Sequence, residues 1–179
     1  MTAPLLNALQ ARLGSAIALR SELTGGGMSR VFLGHEVALK RDVVVKVLPP
    51  DLVSALSLAR FRREIEVTAR LQHPHILPVI AAGGDESLLY YITPYIRGES
   101  LRARLASGPI APSTAARIVR EVLGAVGFAH RHGVIHRDIK PGNVLLSEGH
   151  AILADFGISR ALTDPESPHP GPSGSSVAG

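Results

Sequence analysis

The chain has 179 residues, of which 45% are apolar and 19% charged, and its net charge is +4 at pH 7. That is enough apolar material for a core, but aromatics are only 4% and Trp is absent, so small aliphatic side chains must fill it. Zero cysteines exclude disulfides and thiolate metal sites, no Lys/Arg block marks a nucleic-acid surface, and no apolar run approaches the ~20 residues of a membrane span.

Residues 1–15 read as a helical lead-in. Leu5, Leu6, Leu9 and Leu13 recur at helical spacing, and the segment has neither the charged leader nor the long apolar stretch of a secretory signal. Residues 16–23 suit a strand, which the Gly25-Gly26-Gly27 run breaks. A strand resumes over 31–37, and another, dense in Val, runs over 42–48 until Pro49-Pro50 stops it. Ser54 or Ser57 can cap a helix reaching about Gln72, with Leu58, Phe61, Ile65 and Ala69 on its apolar face. His73-Pro74 ends it. Short strands follow over 77–82 and 88–93, closed by Pro94.

Beyond Gly98 the pattern turns helical. A short helix is expected over 99–106. A longer one covers 113–132, opened by Ser113-Thr114 and closed by Gly133, with Ile118, Val119, Val122, Leu123 and Val126 as its buried stripe. Short strands at 144–146 and 151–153 flank a turn at Glu148-Gly149. After Arg160 the chain is mostly Pro, Ser and Gly, so 161–179 is expected to be disordered on its own.

Two short motifs concentrate the chemistry. HRDIKPGN at 136–143 and DFG at 155–157 put Asp138, Lys140, Asn143 and Asp155 on segments that can converge. Phosphoryl transfer needs such a set. One carboxylate takes the proton of the attacking hydroxyl, a cation steadies the moving group, and an amide oxygen and a second carboxylate hold magnesium. The chain has 16 Arg but only three Lys (Lys40, Lys46, Lys140), and only two Asn (Asn7, Asn143). Their appearance inside these motifs is hard to ascribe to drift. Together the motifs resemble those of protein kinases, and Lys140, two residues after Asp138, is the serine/threonine form of the catalytic loop.

The resemblance implies further roles. Lys46, at the end of VVVK, would pair with the α- and β-phosphates, held there by Glu64 in FRREIE; Val44 stands where kinases usually carry Ala. The loop TGGGMSRVF at 24–32 resembles the phosphate-covering loop. Aligned on Val31, the three family glycines fall on Thr24, Gly26 and Ser29, so only the central one is kept, while Gly25, Gly27 and Met28 complete the turn. No Gly-Lys-Ser/Thr and no helix follow, which sets aside a Walker-type loop and a dinucleotide fold. Thr93-Pro94-Tyr95-Ile96 resembles the adenine hinge, with Thr93 as gatekeeper; Pro94 cannot donate, but Ile96 can. Val31, Val44 and Leu145 would sandwich the ring. Asn143 and Asp155 would hold magnesium, making ATP and Mg2+ the cofactors. His136 would pack under the catalytic loop. A metal site with His130 and His132 is disfavoured, because residues two apart on a helix face apart. Arg137 marks a kinase tuned by phosphorylation, since a buried Arg beside the base seeks an anion; Thr163, Ser167, Ser173, Ser175 and Ser176 sit where that phosphate would be placed.

The expected fold is α+β and two-lobed, as in protein kinases. An N-lobe over 16–97 combines an antiparallel sheet with one helix. Residues 98–160 form the first part of a helical C-lobe, with the catalytic loop and DFG. The likeness stops near 160, inside the activation segment, so the chain reads as a truncated catalytic domain, poor in activity alone. Its uncovered C-lobe surface is expected to favour self-association. The expected function is ATP-dependent phosphorylation of Ser/Thr hydroxyls on a protein substrate, in the cytoplasm. A non-catalytic ATP-binding or interaction module is the rival: the missing lobe favours it and the complete catalytic set opposes it. Against a small-molecule phosphotransferase of the same fold stand Lys140 and the DFG triplet.

Overall fold

A computed structural model of the chain describes residues 2–23, 29–48 and 58–156. The glycine-rich run at 24–28, the Ser54 and Ser57 caps, Gly157 and the tail hydroxyl residues lie outside the described residues. Helix α1 (Thr2–Leu13) precedes strands β1 (Ile17–Leu23), β2 (Arg30–Glu36) and β3 (Arg41–Val47). Helix α2 (Leu58–Ala69) follows, then β4 (Ala81–Asp85) and β5 (Leu88–Pro94). The five strands form an antiparallel sheet in the order β1-β2-β3-β5-β4.

Strand alternation divides the apolar side chains between two covered faces. Phe32, Val43, Val45, Leu88 and Ile92 pack beneath Leu9 and Leu13 of α1, while Leu89 and Tyr91 pack with Phe61 and Ile65 of α2. Cover on both faces explains why β3 reads as an unbroken apolar run rather than alternating with polar residues. The lead-in helix is thus integral to this half. Gln10 Nε2 donates to the carbonyls of Gly14 and Ile17, each at 2.9 Å, and its Oε1 accepts the Leu19 N–H at 2.9 Å. Arg12 reaches Asp85 at 2.6 Å and Ser87 at 2.8 Å. Gly34 permits the close approach of β1, because a Cβ there would lie 2.8 Å from Ile17 Cγ2.

A second, three-stranded sheet joins β6 (Glu99–Ser100), β7 (Val144–Ser147) and β8 (His150–Leu153). Helices α3 (Leu101–Ala106) and α4 (Pro112–Arg131) lie between β6 and β7 in sequence. Ser100 caps α3 by accepting the Ala103 N–H at 3.1 Å. Ile118, Ala125 and Ala129 of α4 pack on Val144, Ala151, Leu153 and Phe156. Glu121 ties α4 to β8: its carboxylate accepts the Ala151 N–H at 2.7 Å and meets His150 Nδ1 at 2.8 Å. No helix among the described residues is long and apolar enough to cross a membrane.

Four local expectations are corrected. The strand expected over 77–82 begins only at Ala81, because Leu77 is paired with β8 instead and only from Ile80, whose N–H donates to Ile92 O at 2.8 Å, does the chain join β5. The Leu77 N–H donates to Leu153 O and the Leu153 N–H to His75 O, both at 2.9 Å. Ser113 and Thr114 do not open α4; Pro112 starts it after Ala111, with no side-chain cap. The apolar stripe of α4 is only partly buried: Val119 is 55% exposed and Leu123 63%. The short helix expected from 99 starts at Leu101, because Glu99 and Ser100 pair with Leu146 and Leu145.

Leu9 is fully buried, whereas Asn7 on the same helix is exposed. Leu9→Ala should therefore lower unfolding free energy by about 2–4 kcal/mol in chemical denaturation. Asn7→Ala should change it by less than about 0.5 kcal/mol.

Candidate active site

Register places the first set of site residues. Val31 pairs with Lys46 and Lys46 with Tyr91; Leu33 pairs with Val44 and Val44 with Thr93. Both rows lie on the sheet face opposite α1. Val31 and Val44 are half-buried there, as is Leu145 on β7. Thr93 is buried, and its hydroxyl oxygen has no hydrogen-bond partner among the described residues. After Thr93 the chain leaves the sheet. The Tyr95 N–H is used by Asp42 O at 3.2 Å, while the Ile96 N–H enters no backbone bond among the described residues. A lone buried hydroxyl and an unused N–H between apolar walls suit the polar edge of a planar heterocycle.

The catalytic-loop residues form one bonded cluster. Lys140 Nζ donates to Asp138 Oδ2 at 2.6 Å. Asn143 Nδ2 donates to the same oxygen at 3.0 Å and to Asp138 O at 2.8 Å. Asn143 sits on a 3-10 turn (Pro141–Asn143), and its carbonyl accepts the Ala154 N–H at 2.8 Å, so this loop is bolted to the segment that carries Asp155. Burial pushes the Asp138 carboxyl up, but the hydrogen bonds from Lys140 and Asn143 outweigh it and hold the group below its ordinary value. A carboxylate so held is ionised at neutral pH and can accept a hydrogen bond from a hydroxyl.

His136 is 1% exposed and sits at the centre of this arrangement. Its Nε2 lies 2.8 Å from Ala154 O, and its Nδ1 accepts the Asp138 N–H at 3.2 Å. Only the neutral ring protonated on Nε2 satisfies both contacts. Burial pulls its pKa down, partly offset by the Ala154 carbonyl and the carboxylates of Asp155 and Asp138. Phe156 meets the ring edge-on, with centroids 4.6 Å apart. The expectation that His136 packs under the loop thus matches its position. Arg137, by contrast, is exposed rather than buried, with a φ of 65°.

Asp155, also at φ 65°, projects its carboxylate to the first sheet. Its Oδ1 accepts from Lys46 Nζ at 2.5 Å and from the Tyr91 hydroxyl at 2.9 Å. Thr68 of α2 donates to Phe156 O at 3.4 Å. Glu64 stands half-buried on α2; the ion pair of Lys46 in this structure is with Asp155. Sequence reasoning missed Tyr91, Leu33 and Thr68. Alternation along β5 held the clue to Tyr91, two residues from Thr93 and hence on the same face. Burial, and then the neighbouring Asp155, push the Tyr91 phenol well up, so it remains a donor.

Among the described residues no three His, Cys, Asp or Glu side chains gather as a metal cage. Asn143 and Asp155 instead offer a pair of hard oxygen donors. That pair fits magnesium, which commonly takes one or two protein ligands and completes its shell with phosphate oxygens and water.

A family model for the protein kinase domain matches residues 18–176. The serine/threonine-protein kinase PknB of Mycolicibacterium smegmatis is 44% identical over 146 residues, covering 78% of this chain and 23% of that protein. PrkC of Bacillus subtilis, also a serine/threonine-protein kinase, is 35% identical over 142 residues, covering 78% and 22%. The chain therefore spans less than a quarter of the length of these curated relatives. The crystal structure of the Mycobacterium tuberculosis PknI kinase domain superposes with a TM-score of 0.69 at 35% identity, over 80% of this chain and 60% of that one.

The His136 geometry predicts a tautomer and a pH response. Nitrogen-detected NMR should find His136 neutral and protonated on Nε2, and still neutral below pH 6.5. Because its pKa is lowered by folding, its contribution to stability is intact above the unfolded value of ~6.5 and is lost as pH falls from there through the folded value. A His136 that is half-protonated at pH 6.5 would contradict this geometry.

Proposed function

The chain belongs to the protein kinase family, and we propose that it carries the ATP-handling machinery of a serine/threonine protein kinase. One observation supports this above others: Asp138, Lys140 and Asn143 share a single hydrogen-bonded cluster, tied through Ala154 to the Asp155–Lys46 pair. In this reading Asp138 orients a protein Ser or Thr hydroxyl and receives its proton as the new oxygen–phosphorus bond forms, the bond from the γ-phosphorus to the β,γ-bridging oxygen breaks, and ADP leaves with that bond's electron pair. Lys140, now on Asp138, turns to the phosphoryl group and offsets its charge. Lys46 leaves Asp155 for the α- and β-phosphates and is steadied by Glu64. Asn143 and Asp155 hold magnesium, which supplies charge neutralisation across the phosphates. Val31, Val44 and Leu145 clasp the adenine, with Thr93, Tyr95 and Ile96 along its edge, and the loop of Thr24, Gly25, Gly26, Gly27, Met28 and Ser29 covers the phosphates.

The ATP requirement favours a cytoplasmic site of action. The chain covers 60% of the PknI kinase domain, so substrate docking surfaces outside the matched part would add to turnover. On α4, Val119 and Leu123 offer a small exposed apolar face suited to self-association.

Lys46→Met should weaken magnesium–ATP binding by about tenfold or more in titration calorimetry, since it removes a charge-assisted contact. Equal affinity would sink the phosphate assignment. Phosphoryl transfer to a generic basic protein should fall by about 10²-fold or more in Asp138→Asn. Undiminished transfer would remove Asp138 from the mechanism.

A further inference from the structure

Tyr91 is not among the groups assigned to the reaction, yet its position binds it to them. Its hydroxyl donates to Asp155 Oδ1, the same oxygen that accepts from Lys46. Its ring lies beneath the ammonium, 5.9 Å from Nζ to the centroid. The side chain is 4% exposed, packed with Leu48, Phe61, Ile65 and Leu89. A phenol gripped in this way has one orientation, fixed by the core of the first sheet. Asp155 lies instead on an irregular segment just after β8, with a backbone conformation that a non-glycine residue keeps only when its surroundings impose it.

Resting on the kinase reading, we propose that Tyr91 is a positioning residue that fixes the orientation in which Asp155 meets magnesium. Lys46 cannot do this alone, because the same ammonium is required by the nucleotide phosphates. When it leaves Asp155, the Tyr91 hydrogen bond remains, and the carboxylate does not turn with the departing cation. The core holds one carboxylate oxygen and the other is left for the metal. An ordinary buried tyrosine, satisfied by the nearest acceptor, would have no such selective effect, and the two roles separate by experiment.

Tyr91→Phe keeps the ring and removes only the hydroxyl. ADP affinity is measured by calorimetry with magnesium and again with the metal chelated. The gain in affinity supplied by magnesium should fall about tenfold in Tyr91→Phe, the scale of one hydrogen bond to a charged group. Metal-free ADP affinity should be unchanged. In an Asp155→Asn background the same substitution should add nothing. Tyr91→Met fills the space without a donor and is expected to reproduce the selective loss should the Phe variant fold poorly. An unaltered magnesium gain overturns the proposal. So does equal weakening with and without the metal, or an undiminished effect in the Asp155→Asn background. Wild-type protein that binds no ADP at all would instead refute the kinase reading itself.

Discussion

The ion pair between Lys46 and Asp155 spans 109 positions of sequence and joins the first sheet to the segment after the second. Both side chains are largely withdrawn from water, at 15% and 25% exposure. Such a pair loses much of its Coulombic gain to desolvation and is a poor source of net stability. What it provides is position. Lys46 is fixed by the register of β3 and Asp155 by backbone contacts of the catalytic loop, so their meeting aligns two separately built halves. In the proposed function the pair is also replaceable: Lys46 would pass to the nucleotide phosphates and Asp155 to magnesium, each a more highly charged partner than the other member of the pair. A site with its charges matched in advance can therefore accept a highly charged ligand without carrying bare buried charges beforehand.

The backbone around the pair is unusual in the same places. Arg137 and Asp155 both have φ of 65°, in the left-handed region that costs a non-glycine residue of order 1–3 kcal/mol. Around them lies a closed ring of bonds. His136 meets Ala154, the Ala154 N–H meets Asn143, and Asn143 meets Asp138, whose N–H returns to His136. Each bond is modest alone. In a loop where every member is shared, none can relax without breaking a neighbour, and that overdetermination is what holds the strained residues.

Much of this was legible in the residues. Strand and helix order followed from alternation, helical spacing and the Gly and Pro stops, and the residues of the candidate site from HRDIKPGN and DFG. The misses have local causes. Leu77 to Ala82 looked like one strand because periodicity cannot tell which edge a backbone will pair with, and β8 took the first part. Val119 and Leu123 looked buried because an apolar stripe shows which face is greasy, not how wide its cover is. Tyr91 went unnoticed because its importance depends on Asp155, which only the fold brings near.

The lengths of chain closed by these contacts bear on how the protein is made. Strands β1 to β3 are successive neighbours, and α1 folds onto the same sheet, so their partners emerge close together during synthesis. The pairing of His75 and Leu77 with Leu153, and of Lys46 with Asp155, must wait for the later segment. At about 5–20 residues per second, some seconds separate the two stages. In that interval Leu71 and Ile76 lack the neighbours that bury them in the finished core. A half-made chain would be sticky on that side, and the bonds that complete the site are the same ones that cover it.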